Sequence, residues 1–256
     1  MRCPRDHSFD IARSGYINLL QPQERRSKRP GDTAAAVDAR RRLHDRGVTA
    51  PLLDAVAEIL NASSEDVVLD AGCGDGFYLG SLGRLTGFDA HGIDISIPAV
   101  DAAARRYPPR KDRLSKDMEK FEWIVANADR FVPYADRSFS IVLSITARMN
   151  ASEFRRVLRD DGRLLVALAA PDDLLELRGR IGSAGRDRVG RTVETFASGF
   201  ALVERRRATT AADLDAAGVQ DVLLSIYRPL RSQPAEAMRV TFSLDLLLFR
   251  AVTARA

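Results

Sequence analysis

The sequence predicts an α/β fold with a mostly parallel, doubly wound sheet, an antiparallel closing strand and a small N-terminal appendage. Three observations predict it. From about residue 65, short apolar segments alternate with helix-favouring segments, which is typical of parallel strands joined by crossover helices. The first apolar segment ends in a turn with three glycines. The second ends in an acidic residue about 20 positions later, as in the nucleotide-binding half of such sheets.

The predicted strands follow the apolar segments in chain order. Five of them form the parallel part of the sheet, at residues 66–70, 90–94, 122–126, 139–144 and 163–169. A sixth segment, residues 240–249, alternates apolar and polar side chains in part. Because this alternation is typical of strands, we expect it to be the antiparallel strand that closes the sheet.

Helices are expected before and between these strands. Residues 33–46 are rich in Ala and Arg, which favour helices, and Asp32 is the expected N-cap. Apolar residues between positions 52 and 60 recur at helical spacing, so a second helix should pack on the sheet and lead into the first strand. Further helical segments are expected at 153–158 and 209–217.

Length and composition indicate the domain organisation. The 256 residues suffice for one α/β domain with an appendage, and we place boundaries at 1–32 (N-terminal module), 33–64 (linking helices) and 65–256 (main domain). No apolar run approaches the ~20 residues of a membrane span, and the N-terminus is too polar for a signal peptide, so no membrane association is expected. Two cysteines, Cys3 and Cys73, give no disulfide framework, which indicates a reducing cytoplasm.

The positive charge of the chain is concentrated near its N-terminus. The net charge is +4, whereas residues 1–50 alone hold eleven Arg or Lys against six Asp or Glu. The centres of this excess are residues 25–29 and 40–42. A localised basic region is the electrostatic footprint of a polyanion partner. A solvated charged face explains the same pattern equally well.

The glycine turn carries the strongest functional signal. Asp70 ends the first apolar segment, and Gly72, Gly74 and Gly76 alternate after it, with Asp75 inside the turn. This spacing differs from the G-x-G-x-x-G of dinucleotide sites, and two carboxylates would repel a pyrophosphate. They suit a ligand with a cationic or amino-bearing centre. A turn without any ligand is the alternative.

The run LDAGCGDG at residues 69–76 resembles the first motif of the Rossmann-like methyltransferases that use S-adenosyl-L-methionine. The resemblance implies that Gly72 and Gly74 let the backbone approach the methionine part of the cofactor, with Asp70 near its amino acid end.

Two further segments take cofactor roles in the same resemblance. It implies that Asp94, at the end of the second strand, binds the ribose hydroxyls. Asn127, followed by the small Ala128, stands where a polar residue of these enzymes pairs with the adenine amino group. Family members more often have Asp there, and Asn127 can also be read as an ordinary turn residue.

The N-terminal residues narrow the family. Residues 3–20 read CPRDHSFDIARSGYINLL, followed by Gly31–Asp32 and by Ala39–Arg41. Order and spacing resemble the methyltransferases that modify guanine N1 in 23S ribosomal RNA. The resemblance implies methyl transfer to an RNA base and contact with ribosomal RNA through the basic N-terminal region.

These enzymes also hold zinc with two cysteines ahead of a C-x-x-x-H pair. In this chain only Cys3 and His7 match, and two ligands do not complete the tetrahedral set of a structural zinc. Either further ligands lie upstream of Met1, or the site has been lost. For the sequence as it stands we expect no stable zinc, with Cys3 and His7 as remnant or partial ligands.

The departures from the family cluster on the acceptor side. Three family landmarks are replaced, by residues 47–49 (GVT), 146–148 (TAR) and 224–226 (LSI). Methyl transfer is therefore better supported than guanine N1 as its target. A small-molecule methyltransferase of secondary metabolism is the main alternative, and a non-catalytic RNA-binding relative is disfavoured by the intact cofactor motifs.

Methylation of guanine N1 requires removal of its proton, so a carboxylate is expected near the acceptor. The candidates are Asp75, Asp172, Asp173 and Glu176, each of which can instead cap or flank a helix. Arg148 can contact a phosphate or a base edge, or pair with a surface carboxylate. Four aromatic residues are candidates for base stacking, namely Phe9, Tyr16, Tyr78 and Trp123, of which Phe9 and Trp123 fit a core position better.

Overall fold

The computed structural model describes residues 9–20, 30–109, 121–178, 187–226 and 235–252. These residues form an eight-stranded sheet. In chain order the strands are β1 (Ile17–Asn18), β2 (Val67–Ala71), β3 (Asp89–Asp94), β4 (Phe121–Val125), β5 (Phe139–Ile145), β6 (Leu158–Ala169), β7 (Phe200–Leu214) and β8 (Met238–Ala251). Their order across the sheet is β1-β4-β3-β2-β5-β6-β8-β7. β8 runs antiparallel to both of its neighbours, and all other pairs are parallel.

The predicted α/β fold is therefore confirmed, with its closing antiparallel strand. The helices of the described residues are α1 (Ala34–Asp45), α2 (Ala50–Leu60), α3 (Phe77–Thr86), α4 (Ile97–Arg106), α5 (Ala151–Val157), α6 (Val189–Phe196) and α7 (Ala216–Ser225). None of them is long and apolar enough to cross a membrane.

The N-cap of α1 is Thr33, so the expectation for Asp32 was wrong. The Thr33 hydroxyl accepts the Ala36 N–H at 3.2 Å. The Asp32 carboxylate is engaged elsewhere, because it pairs with Arg40 of α1 at 2.7 Å. Both residue types cap helices well, and the tertiary contact decides between them.

β7 was missed, and the helix expected at 209–217 was wrong over its first half. Residues 200–214 pair with β8 along their whole length. Their Ala and Arg content favours a helix, but hydrogen bonding to a long neighbouring strand overrides that preference. The helix begins only at Ala216, where the Asp215 carboxylate accepts the Gly218 N–H at 2.8 Å.

The sheet carries a core on each face, as a doubly wound arrangement requires. Neighbouring residues of one strand point to opposite faces: Val68 packs in the cluster under α1 to α4 and α7, and Leu69 in the cluster under α5 and α6. Trp123 is 1% exposed and its indole N–H donates to the Tyr107 carbonyl at 2.8 Å. It is a core residue, as the sequence analysis favoured.

Part of the N-terminal segment belongs to the sheet. β1 pairs with β4 through Ile17 and Asn18, and the Leu19 N–H donates to the Val125 carbonyl at 2.9 Å. The Ser14 hydroxyl donates to the Asp101 carboxylate of α4 at 2.6 Å. Residues 9–20 thus extend the edge of the sheet next to β4.

Candidate active site

The glycine turn lies between β2 and α3, at the carboxyl ends of the parallel strands. Gly72, Gly74 and Gly76 have φ values of +95°, +54° and +75°, a left-handed conformation that other residues adopt at a cost. The Gly72 N–H donates to the Ile93 carbonyl at 2.8 Å, which fastens the turn to β3. A Cβ on Gly72 would collide with the side chain of Ala147, so the turn also fits closely against the loop after β5.

Asp94 holds the other side of this turn from the end of β3. Its Oδ2 accepts the Gly74 N–H at 3.0 Å and its Oδ1 accepts the Ser96 N–H at 2.8 Å. Burial raises the pKa of Asp94, and these two hydrogen bonds oppose that rise. Each carboxylate oxygen keeps a second lone pair, so the group can still accept hydrogen bonds from two hydroxyls of a ligand.

Asp70 and Asp75 are buried carboxylates with unsatisfied oxygens. Their exposed fractions are 2% and 3%, and Asp70 Oδ1 and Asp75 Oδ2 have no hydrogen-bond partner among the described residues. Burial, followed by the charge of Asp94, raises the pKa of Asp70 to about 8, and burial also raises that of Asp75. Such groups are costly unless a donor reaches them. They therefore fit the cationic or amino-bearing ligand that the sequence predicts.

The segment before α1 reaches this site, which the sequence analysis did not foresee. The Asp32 carbonyl accepts the Ser96 hydroxyl at 2.8 Å, and the Asp32 carboxylate pairs with Arg40 Nη2 at 2.7 Å. We call these two contacts the Asp32 bridge. Arg40 Nη1 lies 3.3 Å from where a Cβ on Gly74 would be. In the sequence, the one signal for Asp32 and Arg40 is their place in the family signature, within Gly31–Asp32 and Ala39–Arg41.

His44 of α1 lies next to Asp75, with 4.0 Å between His44 Nε2 and Asp75 Oδ1. Its ring stacks on Phe77 with 3.7 Å between centroids, and its Nδ1 lies 2.6 Å from the Thr49 hydroxyl. Burial, then the charges of Arg40 and Arg106, lower the pKa of His44 to about 3. The imidazole is therefore neutral at pH 7, and its 4.0 Å approach to the Asp75 carboxylate is not an ion pair.

Asn127 follows β4, next to the end of β3. The Ala126 N–H donates to the Asp94 carbonyl at 2.9 Å, which brings the loop with Asn127 and Ala128 beside the Asp94 site. Asn127 Oδ1 accepts the Asp129 N–H at 3.2 Å, as a turn residue does. One lone pair of that oxygen is left over, so both interpretations of Asn127 fit this geometry.

Three of the acceptor-side candidates are already engaged by other side chains or by the backbone. Arg148 is 83% exposed and its Nε lies 3.5 Å from the Asp129 carboxylate, which is the surface pairing foreseen as its alternative. Glu176 accepts both the N–H and the hydroxyl of Thr241, at 2.9 and 2.7 Å. Asp172 lies 3.9 Å from Arg207 Nη1.

Asp173 has a different environment, after the end of β6. Its Oδ1 accepts the Ser243 N–H at 2.9 Å. Burial raises the pKa of Asp173 to about 6, together with the charges of Asp172 and Glu176, while Arg178 opposes the rise. Gly76 is the N-cap residue of α3, and the Asp75 carboxylate accepts the N–H of Phe77, the first residue of that helix, so the capping role foreseen for Asp75 also fits this geometry.

One of the two basic centres can be described. The Arg42 guanidinium binds both carboxylate oxygens of Asp221, at 2.6 and 3.0 Å, and Arg46 pairs with Asp215 at 2.8 Å. These arginines dock α1 on α7 instead of forming an unpaired patch. The other centre, residues 25–29, and the zinc-ligand candidates Cys3 and His7 lie outside the described residues.

Comparison with known families matches two parts of the chain. The family model "Methyltransferase domain" matches residues 69–166, and "RlmA, N-terminal", a zinc-ribbon family, matches residues 1–28. Because Cys3 and His7 are the only thiol and imidazole side chains in residues 1–28, the donor set does not complete a zinc site there. The loss of zinc stays a prediction.

Curated relatives cover most of the chain. It is 38% identical to the 23S rRNA (guanine(748)-N(1))-methyltransferase of Streptomyces fradiae over 85% of its own length and 76% of the relative's. Two chains provisionally named 23S rRNA guanine-N1 methyltransferases, from Bacillus subtilis and Micromonospora griseorubida, are 35% and 34% identical. They align with 68% and 71% of this chain, which spans 59% and 63% of their lengths.

Solved structures agree on the fold alone. A chain from the complex of the Haloferax volcanii Trm112 methyltransferase activator with a methyltransferase aligns with 87% of this chain and 99% of its own, at a TM-score of 0.58 and 19% identity. The [4+2]-cyclase SpnF aligns with 79% of this chain and 81% of its own, at a TM-score of 0.53 and 17% identity. Since one of these is named as a cyclase, the fold does not specify the reaction.

Proposed function

Since this chain belongs to the family of 23S rRNA guanine-N1 methyltransferases, we propose that it methylates N1 of a guanine in 23S ribosomal RNA. Its cofactor is S-adenosyl-L-methionine. The observation that carries the proposal is the glycine turn with its buried, unsatisfied carboxylates, in a chain whose N-terminal signature is that of the family. An acceptor in ribosomal RNA agrees with the cytoplasmic location expected from the sequence.

The residues of the turn fit this cofactor. Asp70 would accept a hydrogen bond from the amino group of the methionine part, because its Oδ1 has no other partner among the described residues. Gly72 and Gly74 would let that part approach the backbone. Arg40 would pair with the carboxylate of the methionine part, because its Nη1 lies close to Gly74.

The nucleoside part would lie along the ends of β3 and β4. Asp94 would bind the ribose hydroxyls with the lone pairs that its two backbone contacts leave free. Asn127 would accept a hydrogen bond from the adenine amino group, with Ala128 leaving room for the ring. When bound, the cofactor supplies a methyl group on a positively charged sulfur, so the chain needs only to align the acceptor and manage its proton.

The loops that follow β4, β5 and β6 expose side chains that can contact a polymeric substrate. Arg148 and Phe131, on the loops after β5 and β4, are 83% and 56% exposed, and Leu175 after β6 is 50% exposed. An exposed cation and an exposed aromatic ring on these loops suit an RNA loop, whose bases stack and whose phosphates are anionic. The basic N-terminal region would add to this attraction.

The test is transfer of labelled methyl groups to 23S rRNA that lacks modifications. We expect 1-methylguanosine among the digested nucleosides, and a stop in reverse transcription at one guanine because N1 methylation blocks base pairing. Binding to the RNA should weaken steeply with salt. Methylation of phenolic or amine acceptors, with none in RNA at low salt, would instead establish the small-molecule alternative.

A further inference from the structure

Asp173 lies on the same side of the sheet as the cofactor carboxylates. It follows the carboxyl end of β6, which pairs with β5, and β5 pairs with β2, where Asp70 is located. Its backbone N–H donates to the Ala170 carbonyl at 3.0 Å, and its Oδ1 accepts the Ser243 N–H at 2.9 Å. Contacts to both β6 and β8 therefore fix the carboxylate in place.

Tyr78 is in the first turn of α3, directly after the glycine turn. Tyr78 and Asp173 are each partly exposed, whereas Asp70 and Asp75 are buried. Burial and then the charge of Asp173 raise the pKa of the Tyr78 hydroxyl, which agrees with the position of Asp173 at the same carboxyl edge of the sheet as the turn.

The other carboxylates of the region are already engaged or turned away. Both oxygens of Glu176 are bound to Thr241. Asp75 is 3% exposed and enclosed by His44 and Arg40. Asp172 lies 3.9 Å from Arg207 Nη1. Asp173 is fixed at one oxygen by the Ser243 N–H and remains partly exposed.

On the basis of the proposed function, we propose that Asp173 accepts the proton of guanine N1 during methyl transfer. The bond between N1 and the methyl carbon forms while the bond from that carbon to sulfur breaks, with its electron pair remaining on sulfur. The N1 proton passes to the Asp173 carboxylate, which becomes a neutral carboxylic acid and later releases the proton to water. The positive charge of the sulfonium and the negative charge of the carboxylate are both removed in this step.

The environment of Asp173 matches this role. The charged groups facing it among the described residues are Asp172 and Glu176, which raise its pKa, and Arg178, which lowers it, while the Tyr78 hydroxyl is neutral. With a pKa of about 6 the group is ionised at pH 7 and binds a proton more readily than an ordinary carboxylate. At pH 5 only about a tenth of it would be ionised.

The experiment compares the complete wild-type chain with Asp173→Asn in single-turnover methylation of unmodified 23S rRNA between pH 5 and pH 9. Asn keeps an oxygen that can accept the Ser243 N–H, so the fold should be retained. We expect cofactor affinity, measured by calorimetry, to stay within about twofold, and the rate to fall by about 10²–10⁴-fold. The wild-type rate should level off above about pH 6, whereas the variant rate should keep rising with pH because solvent must remove the proton.

Asp213→Asn, at a carboxylate that is 79% exposed on β7, is the matched control. It should leave both the plateau rate and the acidic limb of the pH profile unchanged. If Asp173→Asn keeps the wild-type rate and profile, or loses cofactor binding along with activity, the role assigned to Asp173 is wrong although RNA methylation stands. If the wild-type chain methylates no RNA, the proposed function itself is wrong.

Discussion

Asp70→Asn should make the cofactor-free protein more resistant to alkaline pH. Asp70 is buried without a partner for Oδ1, and its pKa is raised to about 8, against about 3.9 for an unfolded chain. A carboxyl group whose pKa is raised on folding stabilises the fold below its unfolded pKa, and this contribution is lost as pH rises through the folded pKa. The window is therefore about pH 4 to pH 8.

The size of the effect follows from the two pKa values. Between pH 5 and pH 7 the wild-type chain should lose roughly 2–3 kcal/mol of unfolding free energy through Asp70. Asn does not ionise, so the variant should not show this loss. Urea unfolding of both proteins at pH 5 and pH 7, without cofactor, measures the difference directly.

The same substitution should weaken cofactor binding. A hydrogen bond between a carboxylate and a cationic donor contributes roughly 1.5–3 kcal/mol, which corresponds to about a 10- to 150-fold loss of affinity. Asp213→Asn, at a carboxylate that is 79% exposed on β7, is the control and should change neither quantity. Equal pH dependence of stability in wild type and Asp70→Asn would refute the reasoning.

Three further predictions follow from the site. Asp94→Ala should reduce cofactor affinity at least tenfold by calorimetry, because it removes the expected ribose ligand and the acceptor of the Gly74 N–H; an unchanged affinity would contradict the ribose assignment. Gly72→Ala should destabilise the fold by about 1–3 kcal/mol in thermal unfolding, because φ is +95° and the Cβ would collide with Ala147, whereas Gly190→Ala, with no atom within 4 Å of its Cβ, should not. Elemental analysis should find well under one zinc per chain, since Cys3 and His7 are the only thiol and imidazole ligands in residues 1–28; a value near one would show that the ligand argument fails.

The sequence predicts the parallel strands well because they are buried on both faces and read as apolar runs, as in residues 139–145. β7 has no such apolar run and was therefore not predicted. It lies at an edge of the sheet, and its charged run Arg205–Arg207 and its alanines give no apolar pattern. The strand that it pairs with, β8, follows only after another helix in the sequence, so local preference pointed to the wrong structure.

At the site, too, local sequence motifs identify residues that are close in the sequence, and they do not identify contacts between distant segments. Asp70, Gly72, Gly74 and Asp94 share one turn and the end of the next strand, so a local motif identifies them. The Asp32 bridge joins residues 64 positions apart, and no local pattern encodes it. Asp173 could be named as a carboxylate after a strand, but its accessibility depends on which neighbouring groups are already hydrogen-bonded.

The Asp32 bridge couples the segment before α1 to the cofactor site. Asp32 touches Ser96, whose N–H is bound to Asp94, and it also holds Arg40 beside Gly74. A ligand that moves Asp32 therefore also changes the shape of the cofactor site. By thermodynamic reciprocity, any factor by which such a ligand raises cofactor affinity is the factor by which the cofactor raises the affinity for that ligand.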